Sequence, residues 1–96
     1  MKILITGGSG FVGNSLYSKL FSEKNKIISL SSKDFDMRFQ NNFKKLKKIK
    51  FDKIFHLAAW TQAGDFSMKN PGLQWVNNQL INTNLLSWWQ SEQPKA

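Results

Sequence analysis

An α/β fold built on a parallel sheet is predicted by three observations. Short β-branched runs occur at Lys2–Thr6, 26–31 and 54–59, helical apolar spacing fills the segments that follow, and a glycine cluster joins the first run to the first helical pattern. Strands that alternate with helices pair in parallel through right-handed crossovers, with helices over both faces. The 96 residues are the length of a single domain, and 41% hydrophobic content is enough to pack a core. No internal repeat, low-complexity tract or interdomain linker competes with this reading.

Lys2–Thr6 (KILIT) ends at Gly7 and Gly8 and suits a strand buried on both faces. From Gly10, the residues Val12, Leu16, Leu20 and Phe21 recur at helical spacing, so this stripe is expected to pack inward, with Asn25 as the stop. Residues 26–31 (KIISLS) read as a second buried strand and the polar SSKD after it as a loop. Phe39, Phe43 and Leu46 share a helical face, with Ile49 at its edge, and Lys44, Lys45, Lys47 and Lys48 lie elsewhere. An amphipathic helix is therefore predicted over 39–49. Residues 54–59 (IFHLAA) form the third strand, whose small terminal residues allow close approach. A loop follows over 60–72, marked by Gly64, Asn70, Pro71 and Gly72, and then a long helix over 73–90, with Pro94 just beyond it.

Fourteen basic residues against six acidic ones give a formal charge of +8. That balance fits either a polyanionic partner or a lysine-rich solvated face. The lysines alternate with Phe43, Leu46 and Ile49 as on an amphipathic helix, and no aromatic platform accompanies them, so no nucleic-acid partner is expected. With no cysteine and one histidine, a disulfide scaffold and a thiolate metal site are excluded and no metal site is expected. No apolar run approaches the ~20 residues of a bilayer span, and MKILITGG lacks the long apolar core of a secretory signal. A cytoplasmic protein without membrane contact is the expectation.

The most informative segment is TGGSGFVG, residues 6–13, between the first strand and first helix. Gly7 supplies the tight turn, Gly10 lets a pyrophosphate approach the backbone, and Gly13 permits close helix packing. Phosphates would then meet the unsatisfied amides of the helix N-terminus. A glycine-rich turn without a ligand is the alternative, while a Walker-type phosphate loop is excluded because no Lys-Ser/Thr pair follows the last glycine.

Taken with IFHLAA at a later strand end and Asn70-Pro71 before a helix carrying Asn78, this motif resembles the extended short-chain dehydrogenase/reductase family. That family holds nucleotide-sugar epimerases, dehydratases and reductases. The resemblance spans essentially the whole chain. SSKDFDM and WVNNQLINTNLLSWW are most similar to the GDP-fucose synthase-like and dTDP-4-dehydrorhamnose reductase-like branches. It implies a Rossmann-type, doubly wound parallel sheet of which this chain is the N-terminal part, incomplete over residues 1–96 and ending before the catalytic strand and helix.

The resemblance places the dinucleotide fingerprint on Gly7, Gly10 and Gly13, with the backbones of Phe11 and Val12 against the pyrophosphate. Asp36 and Met37 match the element flanking the adenine, and Phe39 stands where many relatives carry a further Asp. Leu57, Ala58, Ala59, Trp60 and Thr61 match the segment along the ribose and nicotinamide, and Asn78 matches the helix asparagine that approaches the cofactor. Asn77, Asn82 and Asn84 are read as helix-surface residues and His56 as a strand residue without a catalytic role. Ser31 occupies the position where NAD-preferring relatives have an acid. A carboxylate there would repel a 2′-phosphate, whereas Ser31, Ser32 and Lys33 offer hydrogen bonds and charge, so NADP is predicted over NAD.

The family's Tyr-x-x-x-Lys pair and its Ser or Thr have no counterpart here. Tyr17 is the only tyrosine, on the helix behind the glycine loop, so no catalytic residue is assigned. Two accounts follow: the cofactor-binding part of a longer enzyme acting on a sugar nucleotide, without turnover on its own, or a truncated, non-catalytic dinucleotide-binding module. Trp75, Trp88 and Trp89 belong either to the core or to a helix face that makes a homodimer through residues 73–90.

Overall fold

The computed structural model describes residues 1–60 and 69–96. Strands β1 (Lys2–Thr6), β2 (Lys26–Leu30) and β3 (Lys53–His56) form one parallel sheet in the order β2-β1-β3. Helix α1 (Phe11–Leu20) connects β1 to β2, a 3₁₀ helix (Gln40–Leu46) lies between β2 and β3, and helix α2 (Pro71–Glu92) closes the chain. The register pairs Thr6 with Leu30 on one side and with His56 on the other. All three strands thus end at the same sheet edge, where the segments after them converge.

β1 is central because its side chains are apolar on both faces. Ile3, Leu4, Ile5 and Thr6 are all fully inaccessible. Leu4 joins a cluster with Phe35, Met37, Phe43, Leu46, Phe51, Ile81, Leu85 and Trp88. Ile3 and Ile5 alternate to the opposite face, where α1 packs. In the cluster the Phe43 ring meets Phe35 edge-on at 5.0 Å and Trp88 at 5.5 Å, and Phe51 meets Trp88 at 6.1 Å. Gln93, just past the end of α2, is buried but satisfied. Its Oε1 accepts from the Phe51 amide at 2.9 Å, and its Nε2 donates to the Ile49 carbonyl at 2.6 Å.

Four sequence expectations change. β2 is an edge strand rather than a buried one, with Lys26 and Ser29 exposed, because β1 takes the centre of the sheet. The inward face of α1 is Gly13 with Leu16, Tyr17 and Leu20 at its margin, while Val12 and Phe21 are exposed. Gly13 sets that face: it is the residue that sits directly on the glycine loop. The helix expected over 39–49 is the shorter 3₁₀ turn, burying Phe43 and Leu46 but leaving Phe39 exposed, and the chain leaves it through Lys48 at φ 70°. Pro71 and Gly72, expected in a loop, instead open α2, where proline's missing N–H costs nothing. Of the tryptophans, Trp88 is core, Trp89 is half-buried and Trp75 is exposed.

Candidate functional site

A cleft of about 530 Å³ lies at the edge where the strands end. Its first wall is the glycine loop. Gly7 has φ 70°, and a Cβ there would come within 2.8 Å of the Ala58 amide nitrogen, so the position excludes every other residue on two counts. A Cβ on Gly13 would overlap the Gly7 carbonyl oxygen, which is why α1 can start so close to the loop. Gly10 is different. Its backbone (φ −77°, ψ 172°) suits any residue, and among the described residues the Gly7 oxygen, at 3.4 Å, is the one atom near a Cβ there. Gly10 lines the cleft, and among the described residues no backbone atom comes as close to its Cβ position as those that exclude side chains at Gly7 and Gly13.

Gly10 is also the N-cap of α1, and no side chain caps that terminus. The first amides of a helix have no partner within it. No acidic residue lies in the first turn, and the positive end of the α1 dipole is at this terminus.

The second wall is the segment after β2. Leu30, Ser31, Ser32, Phe35, Asp36, Met37 and Arg38 line it. Phe35 and Met37 are nearly inaccessible and anchor the wall in the core. The Ser31 hydroxyl donates to Asp34 at 3.1 Å. Asp36 is gripped by Arg38 through Nε at 3.0 Å and Nη2 at 2.7 Å, with the Arg38 amide adding a bond at 3.1 Å. The guanidinium hydrogen bond holds the Asp36 carboxyl below its ordinary range, outweighing an opposing contribution from burial. Among the described residues that line the cleft, Asp36 is the one carboxylate, and this pairing neutralises it.

The third wall is Leu57, Ala58, Ala59 and Trp60, backed by Ile81 of α2. Asn78 stands behind this wall. Its Oδ1 accepts from the Trp60 amide at 2.7 Å, and its Nδ2 donates to the carbonyls of Trp60 and Gln74, both at 3.0 Å. The side chain therefore clamps the backbone of the wall.

Ten of the residues singled out in the sequence thus meet in one cleft: Gly7, Gly10, Ser31, Ser32, Asp36, Met37, Leu57, Ala58, Ala59 and Trp60. Phe11, Val12, Gly13, Lys33 and Asn78 lie outside its lining, and Thr61 falls outside the described residues. Phe11 and Val12 open α1 and their side chains are exposed. Ser9, Leu30, Phe35, Arg38 and Ile81 also line the cleft, and the sequence reading did not single them out for it. For Arg38 a signal was present in the sequence, an acid and a base two residues apart. The asparagines read as helix surface have inward roles: Asn77 is buried, Asn82 meets His56, and Asn84 donates to the Met37 carbonyl at 2.9 Å. Asn84 satisfies loop backbone, which needs polar partners, and Asn82 meets a strand side chain.

No described helix is long and apolar enough to cross a membrane, and no described group of acids and histidine could hold a metal ion. The family model for the NAD dependent epimerase/dehydratase family matches residues 3–96. A UDP-glucose 4-epimerase of Streptomyces lividans is 31% identical over 94 residues, covering 80% of this chain and 28% of that protein. A dTDP-4-dehydrorhamnose reductase of Bacillus anthracis, solved in complex with NADP, superposes with a TM-score of 0.75 at 27% identity, over 88% of this chain and 30% of that one. A GDP-L-fucose synthetase of Naegleria fowleri bound to NADP gives 0.72 at 28% identity, over 93% and 26%. The chain spans roughly a quarter to a third of the length of these proteins. With the glycine loop, the parallel sheet and the cleft at its edge, the matched family model shows that the chain belongs to the NAD-dependent epimerase/dehydratase family.

Proposed function

We propose that the cleft binds a nicotinamide dinucleotide, NADP in preference to NAD, and serves a reductase, epimerase or dehydratase acting on a sugar nucleotide. Gly10 carries this reading. It lines the cleft at the N-cap of α1, and among the described residues only the Gly7 oxygen comes within 4 Å of where its Cβ would be, so a phosphate would find the backbone open there. The amides that open α1 would take the pyrophosphate, and Met37 with the paired Asp36 would flank the adenine. Leu57, Ala58, Ala59 and Trp60 would lie along the ribose and nicotinamide. Ser31 and Ser32 stand where an acid would repel a 2′-phosphate, Arg38 is the cation in the same wall, and Asp36 brings no free charge.

When bound, the nicotinamide supplies a hydride acceptor or donor. This chain's residues would hold and orient it, with Leu57, Ala58, Ala59 and Trp60 along one wall. Tyr17, on α1 and outside the cleft lining, takes no part.

The test is titration of the chain with NADPH and NADH, followed by quenching of tryptophan fluorescence through Trp60. NADPH is expected to bind more tightly than NADH. Binding of neither overturns the site, and equal binding overturns the NADP preference.

A further inference from the structure

Beneath Leu57 and Ala58 runs a chain of side chains that ligand contact does not explain. Thr6 Oγ1, fully inaccessible, lies 3.0 Å from the Leu57 amide nitrogen, 3.1 Å from that of Ala58 and 2.7 Å from His56 Nδ1. Across the ring, His56 Nε2 lies 2.8 Å from Asn82 Oδ1 on α2. Amide N–H groups only donate, so the hydroxyl oxygen accepts from both, sharing the Leu57 N–H with the Thr6 carbonyl at 3.2 Å. The hydroxyl has a single proton to give, and the acceptor facing it is His56 Nδ1. That nitrogen is therefore unprotonated, the ring proton sits on Nε2, and Asn82 Oδ1 accepts it. Every bond in the chain has one direction.

We propose that His56 is a positioning residue which, as the Nε2–H tautomer tied to Asn82, orients the Thr6 hydroxyl and through it fixes Leu57 and Ala58 as the cleft floor. The relay joins β1, the last residue of β3 and α2. Its target has no slack, since the Leu57–Ala58 backbone lies so close to Gly7 that a Cβ there would come within 2.8 Å of either residue. A floor that shifts therefore moves the glycine loop with it. The consequence for ligand binding rests on the dinucleotide reading above; the tautomer and the fixed floor do not.

The experiment combines three measurements on the chain and on Asn82→Ala, His56→Asn, His56→Leu and Thr6→Val. They are long-range ¹⁵N–¹H correlation of the imidazole, hydrogen exchange at the Leu57 and Ala58 amides, and NADPH titration. In the unmodified chain Nδ1 is expected to be the bare nitrogen and Nε2 the protonated one. Asn82→Ala, at an exposed position of α2, should keep the fold, mix the tautomers and speed exchange at Leu57 and Ala58 about tenfold, with a parallel loss of NADPH affinity. His56→Leu should lose more, and His56→Asn, which keeps an acceptor for the Thr6 proton, should recover part of it. If Thr6→Val fails to fold, Asn82→Ala and the tautomer still decide. A protonated Nδ1, or unchanged exchange in both Asn82→Ala and His56→Leu, overturns the proposal. If the unmodified chain binds no NADPH while tautomer and exchange behave as stated, the dinucleotide reading fails and the positioning role stands. If NADPH binds and neither exchange nor affinity moves in the variants, the positioning role fails alone.

Discussion

Two walls of the same cleft are built on opposite principles. The glycine loop is a wall of backbone: side chains are missing at Gly7 and Gly13 because the protein itself occupies the space, while Gly10 lines the cleft. The segment after β2 is a wall of side chains, with Phe35 and Met37 driven into the core and Asp36 and Arg38 closed on each other at the rim. In the first wall additions at Gly7 and Gly13 meet protein backbone, and in the second deletions at Phe35 and Met37 open the core.

Four substitutions sharpen or break this contrast, in falling order of effect. Phe35→Ala removes a nearly inaccessible ring packed at 5.0 Å against Phe43 and is expected to cost about 3–5 kcal/mol by chemical denaturation. A loss below about 1 kcal/mol would show that the wall is not held by the core. Gly13→Ala forces the Gly7 carbonyl to move and should cost about 2–3 kcal/mol, although alanine favours helix elsewhere. A stabilised Gly13→Ala protein would mean that α1 does not rest on the loop.

Gly10→Val is the discriminating case. Valine is a poorer N-cap than glycine, so a stability loss of about 0.5–1 kcal/mol is expected, well below that of Gly13→Ala. NADPH affinity is expected to fall at least about tenfold, since the new side chain enters the cleft. If the melting temperature fell and affinity did not, Gly10 would belong with Gly13, as a packing glycine.

The smallest effect belongs to Arg38→Met. The pair is one-third exposed, so its loss should cost only a few tenths of a kcal/mol near neutrality, about the value of a surface ion pair. The Asp36 carboxyl is held below its usual 3.8, so the contribution is present above that pH and is lost as pH falls through the lowered value. Stability curves of the two proteins should therefore converge in acid; a gap that widens there would reverse the assignment.

The same contrast explains what was legible in the sequence. A backbone wall is written as glycines at fixed spacing between a strand and a helix, a local pattern that marks the turn carrying Gly7, Gly10 and Gly13. The apolar runs mark the strands for a similar local reason. The second wall depends on which side chains meet across distance. Nothing local distinguishes Phe35 from Phe39, yet one is core and the other is exposed. Likewise KIISLS reads as buried because its residues are apolar, while its position at the edge follows from the strand order, a long-range property. Asn82 and Asn84 read as surface because their partners, His56 and the Met37 carbonyl, are far away in sequence.

The full burial of β1 also governs how such variants fail. Ile3, Leu4 and Ile5 are a consecutive run with strong strand propensity, no charge and no proline, the composition of segments that stack into cross-β aggregates once uncovered. Lys2 on one side and Gly7-Gly8 on the other are flanks that interrupt such stacking. A variant that loosens the core, Phe35→Ala first among them, should therefore announce itself as precipitate before it is seen as unfolded chain, and the yield of soluble protein becomes a measure of how well the sheet keeps its middle strand covered.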